Sequence, residues 1–206
     1  MIAIVDYGVG NLFSLASSFA AIGTEAVVTS DKEVIRNAEK IILPGVGAFE
    51  DAAKKLSVSG LGELIISEAK RGKPILGICL GMQMLFERSF EYGQHKGLGL
   101  IKGDVRPIAE VIPKDLKIPH IGWNSLIFKK KSTLFKYINE GDFVYFVHSY
   151  YATSCEESIS ATAEYGKELC ASVESGNVYG CQFHPEKSGR VGLNILKAFA
   201  ETEGIK

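Results

Sequence analysis

The chain has 206 residues, with 23 Lys and Arg against 24 Asp and Glu, and a formal net charge of -1. Hydrophobic residues make up 46% and charged residues 23%, which excludes an intrinsically disordered chain. The nearly neutral charge also excludes tight electrostatic binding to nucleic acid or to an acidic membrane surface. The length predicts a single domain over residues 1–206, large enough to fold without a metal ion or disulfides.

The first residues lack the basic start of a secretory signal peptide, because the first Lys or Arg is Lys32. No apolar stretch approaches the roughly 20 residues that a membrane-spanning helix needs. We therefore expect a cytoplasmic protein with reduced thiols. The four cysteines have neither paired nor zinc-ligand spacing: Cys79, Cys155, Cys170 and Cys181.

The first half of the chain alternates short apolar strands with helices. Strands are predicted at 1–7, 26–29, 40–43 and 74–78, and helices at 12–22, 61–71 and 80–86. This alternation predicts an α/β fold, with an open, mixed and mostly parallel sheet flanked by helices. Ligands bind outside the carboxyl ends of the strands in such sheets, which selects residues 8–11, 44–47 and 77–81.

The second half is expected to be more antiparallel. Strands are predicted at 143–147, 159–164, 169–173 and 178–183, with few helices between them. A final helix is predicted after Ser188, with Val191, Ile195, Ala198 and Phe199 on one face.

The segment Gly77-Ile-Cys79-Leu-Gly81 lies between a predicted strand and a predicted helix. This pattern is typical of a nucleophile elbow that carries cysteine. The strained turn exposes the sulfur, the glycines avoid Cβ clashes, and the start of a helix favours a thiolate. A buried structural cysteine beside packing glycines is the alternative, because so short a pattern recurs by chance.

A nucleophilic cysteine needs a base, and the base needs an orienting group. His184 follows the strand 178–183 in the sequence His184-Pro-Glu186, where the carboxylate can lie on the same side of an extended backbone as the imidazole. A strand-end histidine with a solvent-facing glutamate is the commoner case. The N–H of Leu80 and the backbone of 44–47 are candidate oxyanion donors. Without the cysteine, the pattern at 44–47 would indicate only a turn between a strand and a helix.

Other motifs do not indicate a site. Gly8-Val-Gly10 begins like a dinucleotide fingerprint, but Phe13 occupies the third glycine position. His148-Ser149 lacks the glycine neighbours of an elbow. No phosphate-binding loop of the GxxxxGK[ST] type occurs either.

Taken together, these residues resemble the class I, triad-type glutamine amidotransferases. GICLGMQ at 77–83 and QFHPEKS at 182–188 match the family in the right order. Within the family the chain is most similar to the glutaminase subunits that supply ammonia to a cyclase in histidine biosynthesis. Four motifs carry that likeness: DYGVGN at 6–11, PGVG at 44–47, PHIGWN at 119–124 and FVHSY at 146–150.

The resemblance implies a flavodoxin-like fold and a glutaminase that hydrolyses L-glutamine to glutamate and ammonia. Cys79 would be the nucleophile, His184 the base and Glu186 its orienting group. The ammonia would pass to a (β/α)8-barrel cyclase subunit, which forms imidazole glycerol phosphate, so that a heterodimer is expected. The resemblance thus implies hydrolase and lyase chemistry, with neither a cofactor nor a metal ion required.

The resemblance also assigns residues to three further groups. The oxyanion hole would take backbone N–H groups from Val46, Gly47 and Leu80. Glutamine would be bound by Gln83, Glu91, Ser149 and Tyr150. The partner subunit would be contacted by Asn11, Trp123, Asn124, Tyr145 and Lys187.

The segment 44–47 carries one more expectation. Its two glycines accept φ of either sign, so the segment can adopt more than one backbone arrangement. We expect the isolated chain to keep an oxyanion donor turned away until the partner binds near Trp123 and Lys187.

Two alternatives stay open. A paralogous glutaminase would feed a different synthase, such as one that modifies a sugar, and this chain alone does not separate the two because the acceptor binds the partner. The other is a cysteine hydrolase of similar fold, or a catalytically silent binding subunit. Gln83 and the His-Pro-Glu element argue against a different hydrolase, and an intact triad argues against silence.

Overall fold

A computed structural model describes residues 1–204. The strands of the first half are β1 (Ile2–Val5), β2 (Ala26–Thr29), β3 (Lys40–Leu43) and β4 (Ile75–Ile78). The helices there are α1 (Leu12–Ala21), α2 (Lys32–Asn37), α3 (Phe49–Ser59), α4 (Leu61–Lys70) and α5 (Leu80–Met84). The predicted single domain over 1–206 stays a prediction, and its last two residues lie outside the described part of the chain.

The second half consists mainly of strands. They are β5 (Phe86–Ser89), β6 (His95–Lys96), β7 (Ile101–Pro107), β8 (His120–Ser125), β9 (Ile127–Phe128), β10 (Phe143–His148), β11 (Tyr150–Thr153), β12 (Ile159–Glu164), β13 (Glu168–Ser175) and β14 (Val178–Cys181). One long helix, α6 (Gly189–Ala200), follows them as predicted.

Helices α2 and α3 are not among the predicted elements, and α5 is shorter than its prediction. Helix α2 begins after Asp31, whose carboxylate accepts hydrogen bonds from the N–H groups of Glu33 and Val34, at 2.7 and 3.3 Å. Helix α3 depends on a distant residue for its first N–H, described below. The helix predicted at 80–86 ends at Met84, because Phe86 already pairs in β5.

The central sheet has eight strands in the order β2-β1-β3-β4-β14-β13-β12-β9. The strands from β2 to β14 run parallel, and those from β14 to β9 run antiparallel. The predicted mixed, mostly parallel sheet with a more antiparallel second half is therefore confirmed. The late strand β14 lies beside β4, with Cys181 opposite Ile78, so the residues that follow these two strands are neighbours.

Alternate residues of the central strands fill two apolar layers, one on each face of the sheet. In β1, Ala3 and Val5 pack in the layer with α3 and α4, whereas Ile2 and Ile4 pack in the layer with α1 and α6. A buried isoleucine of this kind stabilises the fold by about 1.5–3 kcal/mol. Within residues 1–204, every helix is too short or too polar to span a bilayer.

Two smaller sheets complete the second half, β10-β8 and β11-β7-β5-β6. The chain passes from β10 in one sheet to β11 in the other through a single residue, Ser149. Ser149 lines a cavity together with Cys79, which follows β4, and His184, which follows β14.

Candidate active site

Cys79 occupies the turn between β4 and α5 with φ 54° and ψ −113°. Such a conformation costs a non-glycine residue on the order of 1–3 kcal/mol, so the surrounding structure must hold it. Part of that support comes from β14, because the Cys79 N–H donates to the Cys181 carbonyl at 2.7 Å. The turn therefore has the strained geometry that the elbow pattern predicts.

Glycine is required on both sides of Cys79. A Cβ atom at Gly77 would lie 2.6 Å from the carbonyl oxygen of Gly81, and one at Gly81 would overlap the carbonyl oxygen of Leu43. A Cβ atom at Gly45 would lie 2.7 Å from the Gly81 nitrogen. The three glycines thus let the turn after β4 pack directly against the end of β3.

His184 follows β14 and lies against Glu186, with 2.8 Å between Nδ1 and Oε1. Both side chains are buried, and the Nε2 atom of His184 has no hydrogen-bond partner among residues 1–204. Burial lowers the pKa of His184, but Cys79 and then Glu186 outweigh burial and raise this pKa to about 9. The geometry leaves Nε2 available for a proton on the side of the cavity.

Gln182 and Gln83 form a buried amide pair behind the sulfur. Gln182 Nε2 lies 3.8 Å from Cys79 Sγ, and its Oε1 accepts a hydrogen bond from Gln83 Nε2 at 3.0 Å. Gln83 also donates to the carbonyl of Tyr150 at 3.2 Å. The sequence analysis identified Gln83 only by resemblance, and it gave Gln182 no role. The contact between Gln182 and Cys79 joins residues 103 positions apart, which no local pattern reveals.

These groups meet at a cavity of about 560 Å³, a volume within the range of small-molecule sites. Most of the predicted site residues line it: Val46, Gly47, Cys79, Leu80, Gln83, Glu91, Ser149, Tyr150, His184 and Lys187. The sequence analysis gave no role in this lining to Tyr92, Pro107, Ile118, Val147 or His148.

The backbone donors predicted for the oxyanion hole are not all free in this conformation. The Leu80 N–H donates to the carbonyl of Gly45 at 3.3 Å, so in this conformation it is not free for a substrate oxygen. The neighbouring carbonyl of Pro44 accepts from the Tyr7 hydroxyl at 2.6 Å. Gly47 has φ +96°, a value that favours glycine. The segment 44–47 therefore occupies the Leu80 donor.

Glu91 has a contact that the sequence does not indicate. Its Oε2 atom accepts a hydrogen bond at 2.6 Å from the N–H of Phe49, the first residue of α3. Ala48, which precedes the helix, has no side-chain acceptor for this purpose. Glu91 thus caps α3 from a distance and fixes the helix that follows segment 44–47, while it also lines the cavity.

The predicted partner residues separate into two sets. Trp123 and Tyr145 are opposite each other across β8 and β10, with ring centroids 6.0 Å apart, and Lys187 lies 6.0 Å from the Tyr145 ring. Trp123 is 55% exposed. Asn124 and Asn11 instead bind within the chain: Asn124 donates to the Glu164 carbonyl at 2.7 Å, and Asn11 accepts from the Ser14 N–H at 3.4 Å.

The described residues contain no group of three or more His, Cys, Asp or Glu side chains that is placed to hold a metal ion. The cavity contains a thiol, an imidazole with a buried carboxylate behind it, and the amide of Gln83. This set suits nucleophilic attack on an acyl carbon followed by proton transfer.

Known proteins resemble the chain over nearly its whole length. The sequence model of the family described as glutamine amidotransferase class-I matches residues 3–202. A protein of Caldanaerobacter subterraneus subsp. tengcongensis, named imidazole glycerol phosphate synthase subunit HisH, is 52% identical over 202 residues, 98% of each chain. One of the same name from Lactococcus lactis is 50% identical over 201 residues, 97% of this chain and 98% of the relative.

Solved structures agree in fold. A glutamine amidotransferase crystal structure superimposes with a TM-score of 0.75 at 18% identity, covering 97% of this chain and 99% of that one. The structure of PurLQS from Thermotoga maritima gives 0.72 at 24% identity, covering 96% of each. At such identities these matches show the fold alone, whereas the family model spans almost every described residue. The chain belongs to the class I glutamine amidotransferase family.

Proposed function

We propose that the chain is the glutaminase subunit of an imidazole glycerol phosphate synthase. It hydrolyses L-glutamine to glutamate and ammonia, and the ammonia passes to a (β/α)8-barrel cyclase. The observation that carries the proposal is the placement of His184, with Glu186 at 2.8 Å on one nitrogen and a free Nε2 atom beside the cavity that contains Cys79. Relatives about half identical over their whole length bear the name of that subunit.

The reaction follows from these positions. The Cys79 thiolate attacks the carbon of the side-chain carboxamide, and the carbonyl electrons move to oxygen. His184 gives its Nε2 proton to the departing nitrogen, so ammonia leaves and a thioester remains. His184 then takes a proton from water, whose oxygen attacks the thioester, and glutamate leaves as the sulfur is released. This chain's own step is a hydrolysis, so the expected lyase chemistry is not supported for it.

The electrostatics of His184 suit the first half of this reaction. Because its pKa is raised to about 9, His184 holds a proton near neutral pH and can donate it to the leaving nitrogen. Glu186 is acceptor-only when ionised, so it fixes the proton of His184 on Nδ1 and stabilises the imidazolium. Glu186 lies outside the cavity lining and acts through His184.

The amino-acid end of glutamine would lie between Gln83, Glu91 and the backbone at Ser149 and Tyr150. These groups share the cavity with Cys79. A carboxylate at Glu91 would attract the α-ammonium group of the substrate. Backbone groups at the β10–β11 crossing would fix its orientation.

The conformation described here would be of low activity, because the Leu80 N–H is engaged by Gly45. For the N–H groups of Leu80, Val46 and Gly47 to stabilise the oxyanion, the segment 44–47 must rearrange. The partner surface would include Trp123, Tyr145 and Lys187, of which Lys187 also lines the cavity. Binding of the cyclase there would favour the arrangement with a free donor.

The test combines labelling with turnover. A glutamine-analogue electrophile should modify Cys79 and leave Cys155, Cys170 and Cys181 largely unmodified, because those three are buried outside the cavity. The chain with its cyclase should release glutamate from glutamine and form imidazole glycerol phosphate. Labelling spread over all four thiols would contradict the role of Cys79. Glutamate release without product from that cyclase would favour a paralogous glutaminase.

A further inference from the structure

Two buried imidazoles beside the cavity have no part in the chemistry proposed above. His148 ends β10 and lines the cavity, and His120 begins β8 on the opposite strand. They are 6% and 4% exposed. Their rings meet directly, with 3.0 Å between Nδ1 of His120 and Nε2 of His148.

The neighbours of these rings determine which nitrogens carry protons. His148 Nδ1 lies 2.8 Å from the carbonyl oxygen of Tyr150, which can only accept, so Nδ1 is the donor. Burial lowers the pKa of both imidazoles to about 4, so each is neutral at physiological pH. His148 Nε2 is then an acceptor, and His120 Nδ1 must donate to it.

The hydrogen bonds continue beyond the two imidazoles in both directions. His120 Nε2 must accept, and the amide nitrogen of Asn124 lies 3.3 Å from it. At the other end, the Tyr150 carbonyl also accepts from Gln83, whose second N–H goes to Gln182. Gln182 in turn lies 3.8 Å from Cys79 Sγ. Hydrogen bonds thus connect β8 to the sulfur without a gap.

The packing of His120 shows that the arrangement is fixed. Its ring is stacked against Phe146, at 4.8 Å between centroids, and against Tyr165, at 4.1 Å. A pair of apolar side chains would join β8 and β10 at less cost, since buried polar groups stabilise a fold only when every partner is in place. The function of the two imidazoles is therefore to be sought where this series of hydrogen bonds reaches the cavity.

We propose that His148, supported by His120, is a positioning residue for glutamine binding. It holds the Tyr150 carbonyl, and through that carbonyl the Gln83 amide, in the orientation that receives the amino-acid end of the substrate. The inference rests on the proposed glutaminase function and adds to it two residues that touch neither the reacting atoms nor the sulfur.

The experiment compares variants of His148 in the full chain bound to its cyclase. His148→Leu removes the donor to Tyr150, whereas His148→Asn keeps an amide N–H near the position of Nδ1. We expect His148→Leu to raise KM for glutamine about tenfold with a smaller change in kcat, and His148→Asn to restore most of the loss. Iodoacetamide, which lacks the amino-acid end, should label Cys79 in both variants at nearly the wild-type rate.

Val144→Ala is the matched control, because Val144 is a buried residue of the same strand that lies outside the cavity. It should lower the Tm without raising KM. An unchanged KM in His148→Leu, or an equal rise in Val144→Ala, would overturn the inference while glutaminase activity remains.

If His148→Leu does not fold, His148→Gln replaces it, since its amide reaches towards Nε2 rather than Nδ1. Equal KM values for the Asn and Gln variants would then overturn the inference. Absence of glutamate release by the wild-type complex would overturn the proposed function, and the inference with it.

Discussion

The two sides of the cavity differ in how far they are prepared for reaction. On the elbow side, formed by Cys79, His184 and Glu186, backbone hydrogen bonds hold the turn and a buried ion pair orients the imidazole. On the opposite side, formed by segments 44–47 and 147–150, a carbonyl occupies the Leu80 donor and the neutral imidazole of His148 lines the wall. On the proposed mechanism, the groups for proton transfer are therefore in place before the partner binds, whereas the donors for the oxyanion are not.

The strongest test of the elbow side removes the proposed nucleophile. Cys79→Ala should lower glutamine-dependent synthesis at least about 10⁴-fold, because no other thiol reaches the cavity. Synthesis from added ammonium salts should remain, since the cyclase performs its own chemistry. The measurement is product formation from each nitrogen source, and loss of both activities would mean that the fold or the complex is broken.

His184 and Glu186 should separate in their effects. His184→Ala removes the group proposed to move protons, so turnover should be abolished, whereas Glu186→Gln should leave at least about tenfold more activity than His184→Ala. Rates are to be compared at saturating glutamine, with folding checked by circular dichroism. Wild-type activity in Glu186→Gln would remove Glu186 from the mechanism.

Because the Leu80 donor on the opposite side is occupied, we expect the rate of glutamate release to depend strongly on the partner. Freeing an oxyanion donor typically changes a rate about 10²–10³-fold, so the cyclase with its acceptor ligand should stimulate glutamate release by at least that order. The assay follows glutamate from the chain alone, then with cyclase, then with cyclase and ligand. If the chain alone reaches the full rate, the hydrogen bond between Leu80 and Gly45 does not limit activity.

The stability of the fold in acid should depend on His148. The pKa of His148 is lowered to about 4, so its neutral form stabilises the fold above pH 6.5 and this contribution is lost as the pH falls towards 4. The loss is about 3 kcal/mol in the free energy of unfolding. His148→Asn should therefore show a weaker acid dependence in denaturant titrations between pH 7 and 4; parallel curves would contradict the assignment.

The smallest expected effect concerns Glu91. Replacing the carboxylate that caps α3 in Glu91→Gln should lower the free energy of unfolding by about 1 kcal/mol. Glu50→Gln, which removes a charge from the first turn of α3 without that cap, is the matched control. Equal stability of the two variants would show that the contact between Glu91 and Phe49 contributes little.

The sequence predicted the parts of the molecule whose causes are local. Apolar runs gave the strands of the parallel half, and the glycines beside Cys79 indicated the elbow because their role is a steric one within a few residues. The placement of Glu186 next to His184 likewise follows from a two-residue spacing in an extended segment.

The rest depends on contacts between distant segments. Helix α3 receives its cap from Glu91, 42 residues further along the chain, and Gln83 meets Tyr150 across 67 residues. The engagement of Leu80 by Gly45 is one of several arrangements that the glycines allow, and residue types alone do not choose among them. His148-Ser149 lacks the glycine neighbours of an elbow, and no local pattern shows that His148 pairs with His120 on another strand.

The position of β14 has a consequence for synthesis of the chain on the ribosome. Cys79 emerges early, but His184 reaches it only after β14 has inserted between β4 and β13, one of the most distant pairings of the sheet. Pairings of such long range form late, because the loop-closure entropy is lost before the contacts are gained. A nascent chain therefore carries the Cys79 thiol without His184, its proposed base, and on the proposed mechanism it would not hydrolyse glutamine until almost all of it has been translated.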